Sequence, residues 1–191
     1  MLSAALAGTA VQAHAVDVEV EVQNLTRGIY FTPLLVTAHT PDQSLFNVGE
    51  AASAELQAMA EGGDISGLET AAMAISADMV ANPAGGLLMP TASTTATFTT
   101  ADTNTALSIV GMLLPTNDGF VGLNSWPIPQ EAGTYTVYLN AYDAGTEAND
   151  EIRGGGAPGA PGMPVPPPLE DLIGTGGSGV TTTINNAMVH I

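Results

Sequence analysis

Hydrophobic and polar positions alternate strictly in the first strongly patterned stretch of this chain. Residues 16–22 read VDVEVEV, so Val16, Val18, Val20 and Val22 share one face and Asp17, Glu19 and Glu21 the other. A period of two predicts a half-buried antiparallel strand. Residues 24–28 supply a turn, and residues 29–38 a second β-rich stretch in which Pro33 requires an edge or a bulge. The texture then changes. Residues 49–62 and 67–81 are alanine-rich and helix-favouring, separated by Gly62-Gly63-Asp64 and stopped before Asn82-Pro83. Strand patterning returns in residues 93–100, 106–114 (a buried apolar run), 120–123 and 135–142, where Tyr135, Val137, Leu139 and Ala141 share a face. Residues 180–184 and 187–191 predict a terminal pair joined at Asn185-Asn186. The prediction is a mostly β protein, an antiparallel sandwich or barrel, with a short helical excursion near residues 49–82.

Charge narrows the function. The 191 residues carry 19 Asp+Glu against two basic residues, Arg27 and Arg153, for a formal net charge of −17. Without lysine there is no Walker-type phosphate loop, Schiff-base nucleophile or lysine general base. So acidic a chain argues against a nucleic-acid partner, whose binding requires Lys and Arg to displace counterions. Zero cysteine removes disulfides, zinc–thiolate sites and a thiol nucleophile. No apolar run approaches the ~20 residues of a membrane span. Residues 1–15 are small and apolar and end in Ala13-His14-Ala15, a small-x-small cleavage pattern. They read as a signal peptide lacking its basic start, as a truncated start would leave it, with residues 16–191 as the mature domain. The expectation is a secreted, periplasmic or cell-envelope protein.

Several motifs carry little chemistry. Gly174 to Gly179 satisfy G-x-G-x-x-G, but a β-branched run follows where a dinucleotide site needs a helix, so the stretch reads as a glycine-rich turn. Residues 153–168 are rich in glycine and proline and read as an extended surface loop. His39, beside a proline turn, and His190 read as surface histidines. Asn24-Leu25-Thr26 is a formal glycosylation sequon.

Two acidic loops remain. Thr116-Asn117-Asp118-Gly119 follows the apolar run, and Asp143-Ala144-Gly145-Thr146-Glu147 follows residues 135–142, with Asn149, Asp150 and Glu151 beyond. Carboxylates on loops at a sandwich end suit Ca²⁺, a hard cation that takes about six to eight oxygens. Acidic turns are common, however, and this is no EF-hand loop.

The same residues resemble the spondin N-terminal (F-spondin) domain family. Its members carry a Ser-Pro-Asp-aromatic-x-Val-Gly stretch and later a Trp-Asp-Ala-Gly-Thr-Asp stretch. Here stand Thr116-Asn117-Asp118-Gly119-Phe120-Val121-Gly122 and Tyr142-Asp143-Ala144-Gly145-Thr146-Glu147. Residues 47–64 and the strand ending in Thr37-Ala38-His39-Thr40-Pro41 are similar as well. The resemblance implies a C2-like β-sandwich with one Ca²⁺ held by Asp118, Asp143 and Glu147. This chain departs from the family in Glu147 for Asp, Gly119 for the aromatic residue, and the absence of cysteine. Animal members act in extracellular matrix and cell adhesion. The function expected here is a non-enzymatic, secreted, calcium-binding domain that contacts an extracellular protein or surface component. The alternatives are a metal-assisted hydrolase using the same acidic end and a passive structural envelope protein.

The charge generates a first prediction. Net self-repulsion at −17 is screened as the Debye length falls from about 10 Å at 0.1 M salt to about 3 Å at 1 M. Melting temperature should therefore rise through a NaCl series at fixed chelator; a flat or falling series would remove charge repulsion as a destabilising force.

Overall fold

The computed structural model describes residues 14–148 and 176–184. Nine strands and two helices follow in the order β1 (Asp17–Gln23), β2 (Tyr30–Phe31), β3 (Leu35–His39), α1 (Ala54–Gly62), α2 (Ser66–Ala74), β4 (Asp78–Ala81), β5 (Ser93–Thr99), β6 (Ala106–Leu114), β7 (Gly119–Pro127), β8 (Asn140–Asp143) and β9 (Thr182–Thr183). The fold is mostly β, as the alternation predicts. Strands β4-β3-β6-β7-β8-β9 form one sheet, with β2 also paired to β6, and β1 pairs with β5 as a two-stranded ribbon. All pairings are antiparallel.

Burial explains the layering. Strand β6 is buried at all nine positions, so neither of its faces meets water. On one face Val110, Met112 and Leu114 pack with Leu35, Phe120 and Tyr142 against Leu56, Met59 and Leu68 of the helices. On the other, Leu107, Ile109 and Leu113 pack with Val36, Ala38 and Val121 against Val22 and Ala96 of the ribbon. The ribbon is thus the second sheet of an unequal sandwich, and the helices cover the opposite face. Helix α1 starts where Ser53 Oγ accepts the Leu56 N–H at 3.1 Å and ends at Gly63, whose φ of 70° is left-handed.

Pro33 divides the second β-rich stretch into β2 and β3, both laid against β6. Between them Thr32 keeps the ladder continuous: its Oγ1 accepts the Met112 N–H at 3.0 Å and its N–H donates to the Met112 carbonyl. Two predicted elements differ. The second helix stops at Ala74, and residues 78–81 form β4 on the sheet edge, Leu35 opposite Ala81 and Ala38 opposite Asp78. Ser76 at φ 56° breaks the helix, and pairing with β3 outweighs the helical preference of an alanine-rich segment. Strand β8 covers only Asn140–Asp143. Ahead of it Tyr135 and Tyr138 are 49% and 73% exposed, and the Tyr135 hydroxyl donates to the Glu131 carbonyl at 3.0 Å, a local loop contact. Residues 153–168 and 187–191 lie outside the described residues. No helix among the described residues is long and apolar enough to cross a membrane.

The sequon is internal structure. Asn24 is 0% exposed. Its Nδ2 donates to the carbonyls of Ile29 at 2.9 Å and Leu88 at 3.1 Å, and its Oδ1 accepts from the Thr26 N–H at 3.0 Å and hydroxyl at 2.7 Å. The folded chain offers no free amide there for a glycan. Asn24→Ala strands several buried groups at once and should lower unfolding free energy by about 3 kcal/mol, read by urea denaturation; a change under about 0.5 kcal/mol would show that the bracket bears no load.

Candidate metal centre

Local chemistry builds each acidic loop. After β6 ends at Leu114, the Thr116 N–H donates to the Leu113 carbonyl at 2.8 Å, and Thr116 Oγ1 accepts the Gly119 N–H at 3.0 Å. A Cβ on Gly119 would lie 2.7 Å from that hydroxyl, which accounts for glycine at this position. Strand β7 then starts with Gly119 opposite Asp143, the last residue of β8. The pairing brings Asp118 and Asp143 to the same end of the sheet, and the Ala144 N–H donates to the Asp118 carbonyl at 3.1 Å, one step beyond the strand.

The second loop folds back on the first. Asp143 Oδ1 accepts the Gly145 N–H at 2.7 Å. Gly145 has φ 75°, and a Cβ there would lie 2.3 Å from the Val180 carbonyl oxygen, so only glycine fits. Beyond it, the N–H groups of Thr146 and Glu147 both point at Asp118 Oδ2, at 2.7 and 3.0 Å. Successive amides converging on one oxygen form an anion-holding nest. The carboxylate of Asp118 thereby fixes the loop that carries the other two acids.

Asp118, Asp143 and Glu147 are 2%, 9% and 7% exposed. The three residues named from sequence thus lie at one sheet end and are nearly buried. Their donor chemistry fits a hard cation: carboxylate oxygens held on loops by backbone bonds that leave Asp118 Oδ1 outside the nest. As placed, however, the side chains do not converge; among the described residues no group of three or more His, Cys, Asp or Glu is gathered to hold an ion. Asn149, Asp150 and Glu151 lie outside the described residues.

A third segment belongs to this end of the sheet; the sequence marks a strand over residues 180–184 but not its place beside the acidic loops. Residues 176–184 lie across the loop: Glu147 bridges to Gly176, the Gly179 N–H donates to the Gly145 carbonyl at 2.9 Å, and the Thr181 N–H and carbonyl pair with Glu50 and Gly49. The run Gly176-Gly177-Ser178-Gly179 makes the approach possible, since a Cβ on Gly177 would sit 2.2 Å from the Gly145 carbonyl oxygen. The run is a turn, followed by strand β9.

His39 is a correction. The sequence places it at the surface, yet His39 and Ser108 are both 0% exposed. The His39 Nδ1–H donates to the Thr40 carbonyl at 2.8 Å, leaving Nε2 to accept from the Ser108 hydroxyl at 2.7 Å. Ser108 Oγ also accepts the Ser125 N–H at 2.9 Å, where the β6–β7 register shifts and Ser125 has φ 50°. The pair pins a β-bulge. His190 lies outside the described residues.

The nest yields a prediction separate from any metal. In excess EDTA, Asp118→Ala should lower unfolding free energy by about 3 kcal/mol, because two loop amides lose a charged acceptor. Asp118→Asn, which keeps one oxygen, should cost less. Equal denaturation midpoints for wild type and Asp118→Ala would show that Asp118 does not organise the loop.

Residues 22–161 match the Spondin_N family model. No curated protein matches the chain significantly. The match includes both acidic loops and spans well over half of the 191 residues. Spondin N-terminal domains are typical of extracellular proteins. With its β-rich fold and its two acidic turns on neighbouring strands, the chain belongs to the spondin N-terminal domain family.

Proposed function

We propose that this chain is a secreted, non-enzymatic β-sandwich that binds one Ca²⁺ through Asp118, Asp143 and Glu147 and contacts an extracellular protein or surface component. The observation that carries the reading is three nearly buried carboxylic residues at one sheet end, in a chain with 19 acids and two arginines. Carboxylates withdrawn from water repel one another and lose hydration, and a bound divalent cation offsets both costs. Asp118 is already oriented by the Thr146 and Glu147 amides. Asp143 and Glu147 would supply the other oxygens, and the ion would supply charge neutralisation that closes the end of the sheet. The complete burial of His39 and Ser108 supports the non-enzymatic reading, because that Ser–His pair meets no substrate. Export is supported by the onset of β1 at Asp17, just beyond the cleavage pattern at Ala15.

Extracellular calcium modules bind at about 10⁻⁴–10⁻³ M, so calorimetry belongs in the millimolar range. Wild type should bind one equivalent, and Asp143→Asn and Asp118→Asn should weaken binding by about tenfold or more, the loss of one charged contact. Asp17→Asn, on the exposed face of β1, should bind as wild type does. Calcium at a hundredfold excess over Kd should add about 2.7 kcal/mol to stability. Equal binding by all four proteins would assign the calcium to diffuse surface charge.

A further inference from the structure

Among the described strands β1 pairs only with β5, and its hydrogen-bond phase can be read from its two ends. The Thr100 N–H donates to the Val16 carbonyl and the Asn24 N–H to the Ala92 carbonyl, each at 2.9 Å. The register between them is continuous, Val18 opposite Phe98, Val20 opposite Ala96 and Val22 opposite Thr94. In an antiparallel pair alternate residues turn their amide and carbonyl groups to the partner and the intervening ones turn them away. The valines are therefore the residues bonded to β5. The N–H and C=O groups of Asp17, Glu19, Glu21 and Gln23 form a free edge among the described residues.

Two side-chain rows run along this edge. On the inner face Val22 is buried, but Val16, Val18 and Val20 are covered only in part, so an apolar strip continues to the margin of the sandwich. On the outer face Asp17, Glu19 and Glu21 are exposed beside Thr99, Thr97 and Thr95 of β5. A second copy of β1 does not suit this edge, because antiparallel self-pairing sets acids against acids, and like charges directly opposite are destabilising. An extended strand with apolar residues on one face and basic residues on the other suits every row.

We propose that the free edge of β1 is a docking site for an extended, basic segment of a partner protein, which adds a third strand to the ribbon. Backbone hydrogen bonds supply the docking, alternate apolar side chains complete the Val16–Val18–Val20 strip, and Lys or Arg side chains meet Asp17, Glu19 and Glu21. The site is independent of the calcium reading.

The probe is a fluorescein-labelled octapeptide, Val-Lys-Val-Thr-Val-Lys-Val-Thr with blocked ends, titrated with the full chain and read by anisotropy. Wild type should bind it saturably. A backbone N-methylated version, equal in charge but unable to donate, should bind at least about tenfold more weakly. Glu19→Pro removes an outward N–H without touching the β1–β5 ladder and should weaken binding similarly with an unchanged far-ultraviolet spectrum. If that variant misfolds, the N-methylated arm on wild type still decides. Absence of saturable binding, or N-methylated peptide binding within about twofold of the parent, would overturn strand addition in favour of diffuse charge. Sedimentation of wild type as a dimer that the peptide fails to dissociate would assign the edge to a second copy and overturn the proposed partner.

Discussion

Burial of β6 on both faces is the constraint on which the remaining architecture depends. A nine-residue apolar strand cannot leave either face to water, so the chain must supply two coverings of different kinds. The alternating Val/acid strand and its threonine-rich partner supply one, since each has a single apolar row. The helices supply the other through Leu56, Met59, Ala60, Leu68 and Ala72. Small residues keep the layers close. Gly122 leaves room for Phe46 and Tyr142, which join Phe120 in an aromatic cluster with centroids 4.8 to 5.3 Å apart. Asp118 lies two residues before Phe120, and Asp143 follows Tyr142. The acidic end of the sheet is thus attached directly to this buried aromatic cluster.

Legibility in the sequence followed the physics of each segment. Residues 16–22 and 106–114 announce themselves, because one-sided and two-sided burial leave different periodicities. Residues 78–81 do not: Asp78, Met79, Val80 and Ala81 extend an alanine-rich stretch, and only the presence of β3 beside them makes them a strand. Residues 135–139 fail in the opposite direction, with alternation intact but no partner strand among the described residues, so Tyr135 of the predicted inner face remains exposed. His39 escapes a local reading because a proline turn is a surface signal, while its actual partner, Ser108, lies 69 positions away.

The acids of the candidate centre were legible as residues but not as roles. The sequence presents Asp118, Asp143 and Glu147 as equivalent donors. In the fold they divide: Asp118 accepts two successive loop amides, Asp143 closes a turn onto Gly145, and Glu147 lends its own N–H to Asp118. These are backbone relations, and side-chain spacing carries no record of them. The closing segment at residues 176–184 is further still from local inference, since what ties it to Gly145 is a close approach of two backbones that tolerate no Cβ.

The acidity of the chain therefore has two physically distinct parts. Asp17, Glu19 and Glu21 stand in water, where their field is felt over roughly one Debye length and fades as salt rises. Asp118, Asp143 and Glu147 are withdrawn from solvent, where mobile ions screen poorly and fixed partners, such as the amides on Asp118 and Asp143, carry the compensation. Monovalent salt and calcium should consequently act on different ends of the molecule. Salt weakens the attraction of the β1 edge for a basic strand while relieving general repulsion; on the proposed calcium reading, the ion would act instead at the loops around Asp118. A protein built this way can keep its fold in strong salt while its charge-assisted contacts loosen, because burial, rather than the number of carboxylates, decides which interactions the solvent can screen.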